Sequence, residues 1–383
     1  MLAGSAGRIR SPRSPMSCPP CPPCRAPSPT RGREDDPPAG SSASPGVRGR
    51  HRESSAVPGS SVSVNRPFVP QPVLDAAHAR AAARAARDWT TADRLRDEIE
   101  AAGWRVVDRG TNFRLEAAHP PDLADEAGVR YGRSDAVPSR LGDPSTCAAT
   151  VVLVATDQPD DLDRAVAALR ATVPSGTQAL VVADAPDAGQ SGRLPAAGPD
   201  DAGRIEVEVV RTSARLGWAA ALNIGLRRAC GEVVIFMDTS VEPTGDVVTP
   251  LVAALDAEDV AVAGAFGLGS TDLRRFREVT SGDVAAIEGY LLAFRRSDAA
   301  AHGPLDEAFR FYRNLDIWWS LVLRDRGEDL PSRRAVVVAN LPLVRHEHRG
   351  WTSVPETERD RLSKRNFYRV LDRFRDRPDL AVP

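Results

Sequence analysis

The chain has 383 residues, 42% of them hydrophobic, which is enough to bury one large core or two smaller ones. Its formal net charge of −2 gives no reason for bulk attraction to nucleic acid or to an anionic membrane surface. No apolar run approaches the ~18 residues needed to cross a bilayer, and the basic, Pro-rich start lacks the apolar centre of a signal peptide. The expectation is a chain without a transmembrane segment that resides in the cytoplasm, free or peripheral at the inner face of the membrane.

Residues 1–70 are crowded with Pro, Ser, Gly and Arg and carry almost no periodic apolar residues. Such a stretch cannot offset the entropy of ordering, so a disordered tail is expected. It contains Cys18, Cys21 and Cys24 in Cys-Pro-Pro-Cys-Pro-Pro-Cys, but no second cluster of Cys or His completes a four-ligand zinc set. Cys147 and Cys230 stand far apart in sequence, and Cys230, next to Gly231, reads as a small packed residue.

Residues 71–117 form a module of different character. An Ala-rich helix runs to Arg87, and a second carries Trp89, Ala92, Leu95, Ile99 and Ala102 at helical steps until Gly103 ends it. Trp104–Asp108 and Asn112–Glu116 read as two strands around a Gly-containing turn. Residues 118–147, rich in Pro, Asp, Gly and Ala, read as a linker.

The third segment, 148–383, alternates strands and helices. Thr150–Thr156 is a continuous apolar run of the kind buried in a parallel sheet, followed by a helix through Leu162, Val166 and Leu169. Ala179–Asp184 and Ile205–Val210 are the next strands. Trp218, Leu222, Leu226 and Ala229 then recur at helical spacing, Gly231 stops that helix, and Val233–Met237 is a strand ending on Asp238. Further strands are expected at Val260–Phe266, Ile287–Arg295 and Ala335–Ala339, with helices at Val247–Leu255, Leu315–Arg326 and Pro355–Phe374. Strands that end on carboxylates in such an alternation define an α/β fold with a mostly parallel sheet, and ligands collect beyond the strands' carboxyl ends.

Gly217, Asn223 and Gly225, followed by Gly231 and Asp238, resemble the N-x-G-x-A-x-x-x-N-x-G and D-x-D run of glycosyltransferase family 2. Gly303-Pro-Leu-Asp-Glu-Ala-Phe309 extends the resemblance, which covers about 148–371. It implies a Rossmann-like nucleotide-diphospho-sugar transferase fold and an inverting transfer of sugar from a nucleotide-diphosphate donor to a hydroxyl on a glycan or other acceptor. By position it implies donor contacts at Thr156, Asp184, Arg215, Gly217, Asn223 and Asp238.

Ser240 replaces the second Asp of D-x-D, so Asp238 with Glu242, His346 or His348 is the candidate ligand set for a divalent metal, Mg²⁺ or Mn²⁺. The resemblance places the catalytic carboxylate at Asn314, which cannot accept a proton at ordinary pH. The base is therefore expected at Asp316, with Glu288 as the second candidate.

The 73–117 segment resembles the C-terminal piece of cysteinyl-tRNA synthetase through Ala86-Arg-Asp-Trp-Thr-Thr-Ala-Asp-Arg-Leu-Arg-Asp and Gly110-Thr-Asn-Phe113. It carries none of that enzyme's catalytic or zinc-binding motifs, so a structural or docking role is expected of it. Two alternatives to the enzyme remain: a non-catalytic, nucleotide-binding scaffold, and an RNA-associated protein acting through this module. The near-neutral charge argues against the last and against a nucleic-acid partner generally.

Overall fold

The computed structural model describes residues 69–383 apart from 111, 127, 156, 200–202 and 328. The expected tail, with its three cysteines, lies outside the described residues except at its last two positions.

Helix α1 (Gln71–Ala85) opens with Pro72 in its first turn, and α2 (Trp89–Ala101) is capped by Asp88, whose carboxylate accepts the Thr91 N–H at 3.1 Å. Gly103 then turns the chain at φ +82° into the antiparallel strands β1 (Trp104–Arg109) and β2 (Asn112–Ala117). Val73, Ala77, Ile99 and Trp104 bury as a small core, and Arg80 donates to both oxygens of Asp108 at 2.9 and 3.1 Å.

The stretch 118–147 departs from the expectation of a linker. It supplies β3 (Leu123–Asp125) and β4 (Gly128–Tyr131), an antiparallel pair, and β4 lies parallel to β8 (Ile205–Thr212) through Arg130↔Arg211 and Tyr131↔Thr212. These strands cover a sheet edge that would otherwise present unpaired backbone, and edge strands this short carry little hydrophobic pattern to read.

The remaining elements come in chain order. β5 (Cys147–Ala155), α3 (Pro159–Thr172), β6 (Thr177–Ala183), α4 (Ala188–Ser191) and β7 (Gly198–Pro199) precede β8. After it come α5 (Trp218–Arg228), β9 (Gly231–Met237), β10 (Val241–Pro243), α6 (Val248–Ala254), β11 (Val260–Gly264), β12 (Gly267–Gly269) and β13 (Arg277–Val279). β14 (Gly282–Val284), β15 (Ala286–Ile287), β16 (Leu291–Arg295), α7 (Arg296–His302), α8 (Leu315–Arg324), β17 (Arg334–Val337), β18 (Leu343–Arg345), α9 (Arg349–Thr352) and α10 (Glu356–Phe374) complete the series.

The main sheet runs β14-β17-β11-β16-β9-β5-β6-β8-β4-β3, parallel from β9 through β4 and antiparallel where β16 inserts between β9 and β11. Both faces are covered, which is why β5 is buried from Ala149 onward and β6 along its whole length. Val152, Leu180, Leu222, Phe294 and Trp319 pack on the face of α5 and α8, whereas Leu153, Val181, Leu162 and Leu251 pack on the face of α3 and α6. The run expected as one strand over Ile287–Arg295 is broken at 288–290, where Glu288 N–H donates to Phe266 C=O and Asp238 N–H donates to Tyr290 C=O. That break and the end of β9 lie side by side.

Candidate active site

Two clusters of polar side chains face one cleft beyond the carboxyl ends of the central strands. The first is built on Asp238, directly after β9. Its Oδ1 accepts the Ser240 N–H at 2.8 Å and the Ser240 hydroxyl at 2.6 Å, which leaves Oδ2 to His348 Nε2 at 3.1 Å. The histidine arrives from far along the chain because β18 pairs with β10, Val241 opposite Arg345, and His346 N–H continues that pairing by donating to Ser240 C=O.

Burial works against charge on both partners. Their mutual hydrogen bond and attraction prevail, holding Asp238 below its ordinary value and His348 above its own. The imidazole stacks on Tyr312 at 4.7 Å and meets Tyr290 edge-on at 6.0 Å.

The second cluster is a pair of carboxylates. Asp316, in the first turn of α8, accepts the Gly289 N–H on Oδ2 and the Ile317 N–H on Oδ1, both at 2.9 Å. Gly289 comes this close because it has no side chain; a Cβ there would stand 3.3 Å from the Asp316 Cβ.

Glu288 is 9% exposed, and its Oε2 has no hydrogen-bond partner and lies 3.5 Å from Arg345 Nη1. Burial, reinforced by the charge of Asp316, pushes its carboxyl up to about 7, while Arg345 pulls the other way. Burial also raises Asp316, opposed by its two backbone donors. The Arg345 guanidinium is itself seated over the Tyr290 ring at 4.4 Å.

Asp238, Glu288, Asp316 and His348 thus line one cleft, walled by Trp218 and Tyr312. The other expected residues that the structure describes lie outside this cleft's lining and make contacts of their own. Asp184 accepts the Thr212 hydroxyl at 3.0 Å and the N–H groups of Leu216 and Gly217 at 2.8 and 2.9 Å, so it shapes the loop that feeds α5. Gly217 (φ +104°) lets that loop pass Arg310, whose Cα would lie 3.0 Å from an added Cβ. Arg215 pairs with Asp157.

Asn223 donates to Leu305 C=O and Glu307 Oε1 and accepts the Leu305 N–H, which occupies its amide in pinning the 305–307 turn to α5. Thr156 lies outside the described residues. Asn314, at φ +67°, sends its amide to Ser363 C=O.

His346 bonds Glu242 at 2.6 Å rather than Asp238. Of the two candidate histidines only His348 therefore reaches Asp238, and among the described residues no group of three or more His, Cys, Asp or Glu side chains converges as a metal cage. What remains is Asp238 Oδ2 beside His348 Nε2, a mixed oxygen and imidazole pair that suits Mn²⁺ better than Mg²⁺. Such a pair fits a cation that takes its other ligands from phosphate oxygens.

Reasoning from sequence missed Tyr290, Tyr312 and Arg345. Each directly adjoins or lies within two residues of one that was singled out (Glu288, Asn314 and His346), and proximity to such residues was the available signal.

Residues 150–310 match the family model for glycosyl transferase family 2. Among solved structures, the chain is similar to GalNAc-T7 with UDP, GalNAc and Mn²⁺ at TM-score 0.48 and 16% identity, covering 60% of this chain and 49% of that one. It is also similar to the mannosyltransferase PcManGT from Pyrobaculum calidifontis in complex with GDP-Man and Mn²⁺, at TM-score 0.44 and 17% identity over 63% and 72% of the two chains.

A cysteine–tRNA ligase of Opitutus terrae is 50% identical over 50 residues, which are 13% of this chain. The chain spans 11% of that ligase's length and about half of the GalNAc-T7 chain. No helix among the described residues is long and apolar enough to cross a membrane. The residues that match the glycosyl transferase family 2 model carry most of β5 through α7 and with them Asp238 and Glu288.

Proposed function

We propose that the chain transfers a sugar with inversion from a nucleotide-diphosphate donor to an acceptor hydroxyl, with Asp316 as general base. The observation that carries this reading is the meeting, in one aromatic-walled cleft, of the Asp238–His348 pair and the Asp316–Glu288 pair. An apolar cleft with a few convergent polar groups and perturbed carboxyls is the physical signature of such a site.

In this reading Asp238 and His348 would hold a divalent cation, which when bound offsets charge on the diphosphate leaving group. Trp218 and Tyr312 offer flat faces for the donor and acceptor rings. Asp316 takes the proton of the acceptor hydroxyl. The acceptor oxygen then bonds to the anomeric carbon as the bond to the diphosphate oxygen breaks, and that electron pair leaves with the nucleoside diphosphate.

Two adjacent carboxyls do not both ionise readily. Glu288, raised to about 7, keeps its proton below neutrality and leaves the single charge on Asp316. The backbone donors at Gly289 and Ile317 favour that charge on Asp316 and fix its orientation.

The test is Asp316→Asn, assayed for transfer from UDP- and GDP-sugars with Mn²⁺ and for nucleotide binding by calorimetry. Binding is expected to persist while transfer falls by about 10²-fold or more, the usual scale for loss of a general base. Transfer undiminished in Asp316→Asn overturns the assignment, and if Glu288→Gln abolishes it instead the role moves to Glu288.

A further inference from the structure

The edge of the sheet opposite the cleft holds a second reactive arrangement. β5 and β9 begin there, side by side, with Cys147 opposite Gly231 in the parallel register. The approach is so close that only glycine fits at 231, since a Cβ would stand 2.4 Å from the Ala149 carbonyl carbon and from the Thr150 nitrogen.

A buried polar set locks the neighbouring backbone. Gln178 Oε1 accepts the Thr150 hydroxyl at 2.7 Å and the Cys230 N–H at 3.0 Å, and the Thr150 oxygen in turn accepts the Gly231 N–H at 2.8 Å. Thr146 N–H donates to Cys230 C=O at 3.0 Å. Cys230 is thereby held against Cys147, with the two sulfurs 3.3 Å apart and unjoined. Both are half-buried and line a surface depression together with Thr146 and Gln178.

We propose that Cys147 and Cys230 form an oxidisable dithiol, in which Cys230 reacts with a hydroperoxide and Cys147 resolves the product to an intramolecular disulfide. The pairing rests on the 3.3 Å contact and the locked backbone, and it is independent of the glycosyltransferase reading. The two sulfurs are also chemically unequal. Contact with Cys147, aided by Thr146 and the charge of Arg140, lowers Cys230 against the effect of burial, whereas the same contact and burial push Cys147 up.

The Cys230 thiolate attacks one peroxide oxygen and breaks the O–O bond, giving a sulfenic acid and hydroxide, which takes up a proton to become water. The Cys147 sulfur then attacks the Cys230 sulfur, the S–O bond breaks, the hydroxyl leaves with the thiol proton as a second water, and the S–S bond closes. Two thiols lose two electrons and the peroxide gains them. The partners are already near bonding geometry, so closure needs only a small approach at the start of two paired strands.

The experiment treats the reduced full chain with hydrogen peroxide, alkylates the remaining thiols and maps peptides by mass. The expected result is a linked peptide joining the Cys147 and Cys230 segments, reversed by dithiothreitol. In Cys147→Ser the sulfenic acid should accumulate on Cys230 and be trapped by dimedone. In Cys230→Ser the labelling of residue 147 should fall at least tenfold below that level.

Thermal midpoints of both reduced variants are compared with the parent to confirm folding, and the parent's own map decides should either variant fail. Over-oxidation of either cysteine to sulfonic acid with no linked peptide overturns the proposal, as does dimedone labelling of Cys147 in Cys230→Ser equal to that of Cys230 in Cys147→Ser.

Discussion

Replacing Glu288 by Gln should change the pH dependence of stability in a calculable way. The carboxyl is nearly inaccessible, its Oε2 lacks a hydrogen bond, and its pKa rises from 4.5 to about 7 in the folded chain. A group raised on folding contributes stability that is fully present below the unfolded value and is lost as pH climbs through the folded value. Glu288 therefore favours folding below about pH 4.5 and ceases to do so above about pH 7.

At ~1.4 kcal/mol per tenfold in proton affinity, the rise amounts to roughly 3 kcal/mol across that window. Gln has nearly the same shape and no proton to lose. The stability of Glu288→Gln relative to the parent should thus increase by roughly 3 kcal/mol between about pH 4.5 and pH 8, whatever its starting offset. Urea unfolding of both proteins across that range measures the difference directly. A difference that stays flat, or falls with pH because the lost attraction of Arg345 dominates, refutes the account of Glu288 as a protonated partner of Asp316.

Other substitutions test the remaining assignments. Asn223→Ala strands the buried N–H and C=O of Leu305 and should cost about 3 kcal/mol of stability in denaturant unfolding, whereas a donor-contact role would show as lost nucleotide affinity at unchanged stability. Gly231→Ala places a Cβ 2.4 Å from backbone atoms of β5 and should lower stability by roughly 3 kcal/mol or more, read as a large drop in thermal midpoint. His348→Ala should weaken Mn²⁺-dependent binding of UDP or GDP in calorimetry by about tenfold or more, while His346→Ala, whose partner is Glu242, should leave it within about twofold.

Much of the fold was readable because its signals are local. Trp218 to Ala229 shows a helical stripe, Val233 to Met237 a buried strand, and the carboxylate after that strand falls at the ligand-binding edge by its position alone. The cleft itself depends on contacts that sequence spacing does not display. His346 and Glu242 are 104 residues apart, and which of the two late histidines reaches Asp238 is decided by the register of β18 on β10.

Asn223 shows a different limit. The residues of the glycine run match a ligand-binding pattern, yet the amide is taken up by a turn 82 residues downstream. Residues 118–147 were misread because strands of three and four residues at an edge leave too short a pattern to distinguish from a loop.

The short stretch from Arg345 to Arg349 has a consequence for how the molecule responds to salt. Four of its side chains grip four carboxylates on separate segments: Arg345 on Glu288, His346 on Glu242, His348 on Asp238 and Arg349 on Asp161. The grips differ in depth. The arginines at either end are 38% and 39% exposed, whereas His348 is 12% exposed and its aspartate 8%. Mobile ions screen exposed contacts and barely reach buried ones, so rising ionic strength loosens the contacts of Arg345, His346 and Arg349, each with a partly exposed partner, more than His348–Asp238, where both partners are buried. The stretch is then anchored at Asp238, and hydrogen exchange at Arg345, His346 and Arg349 should quicken with salt before exchange at His348 does.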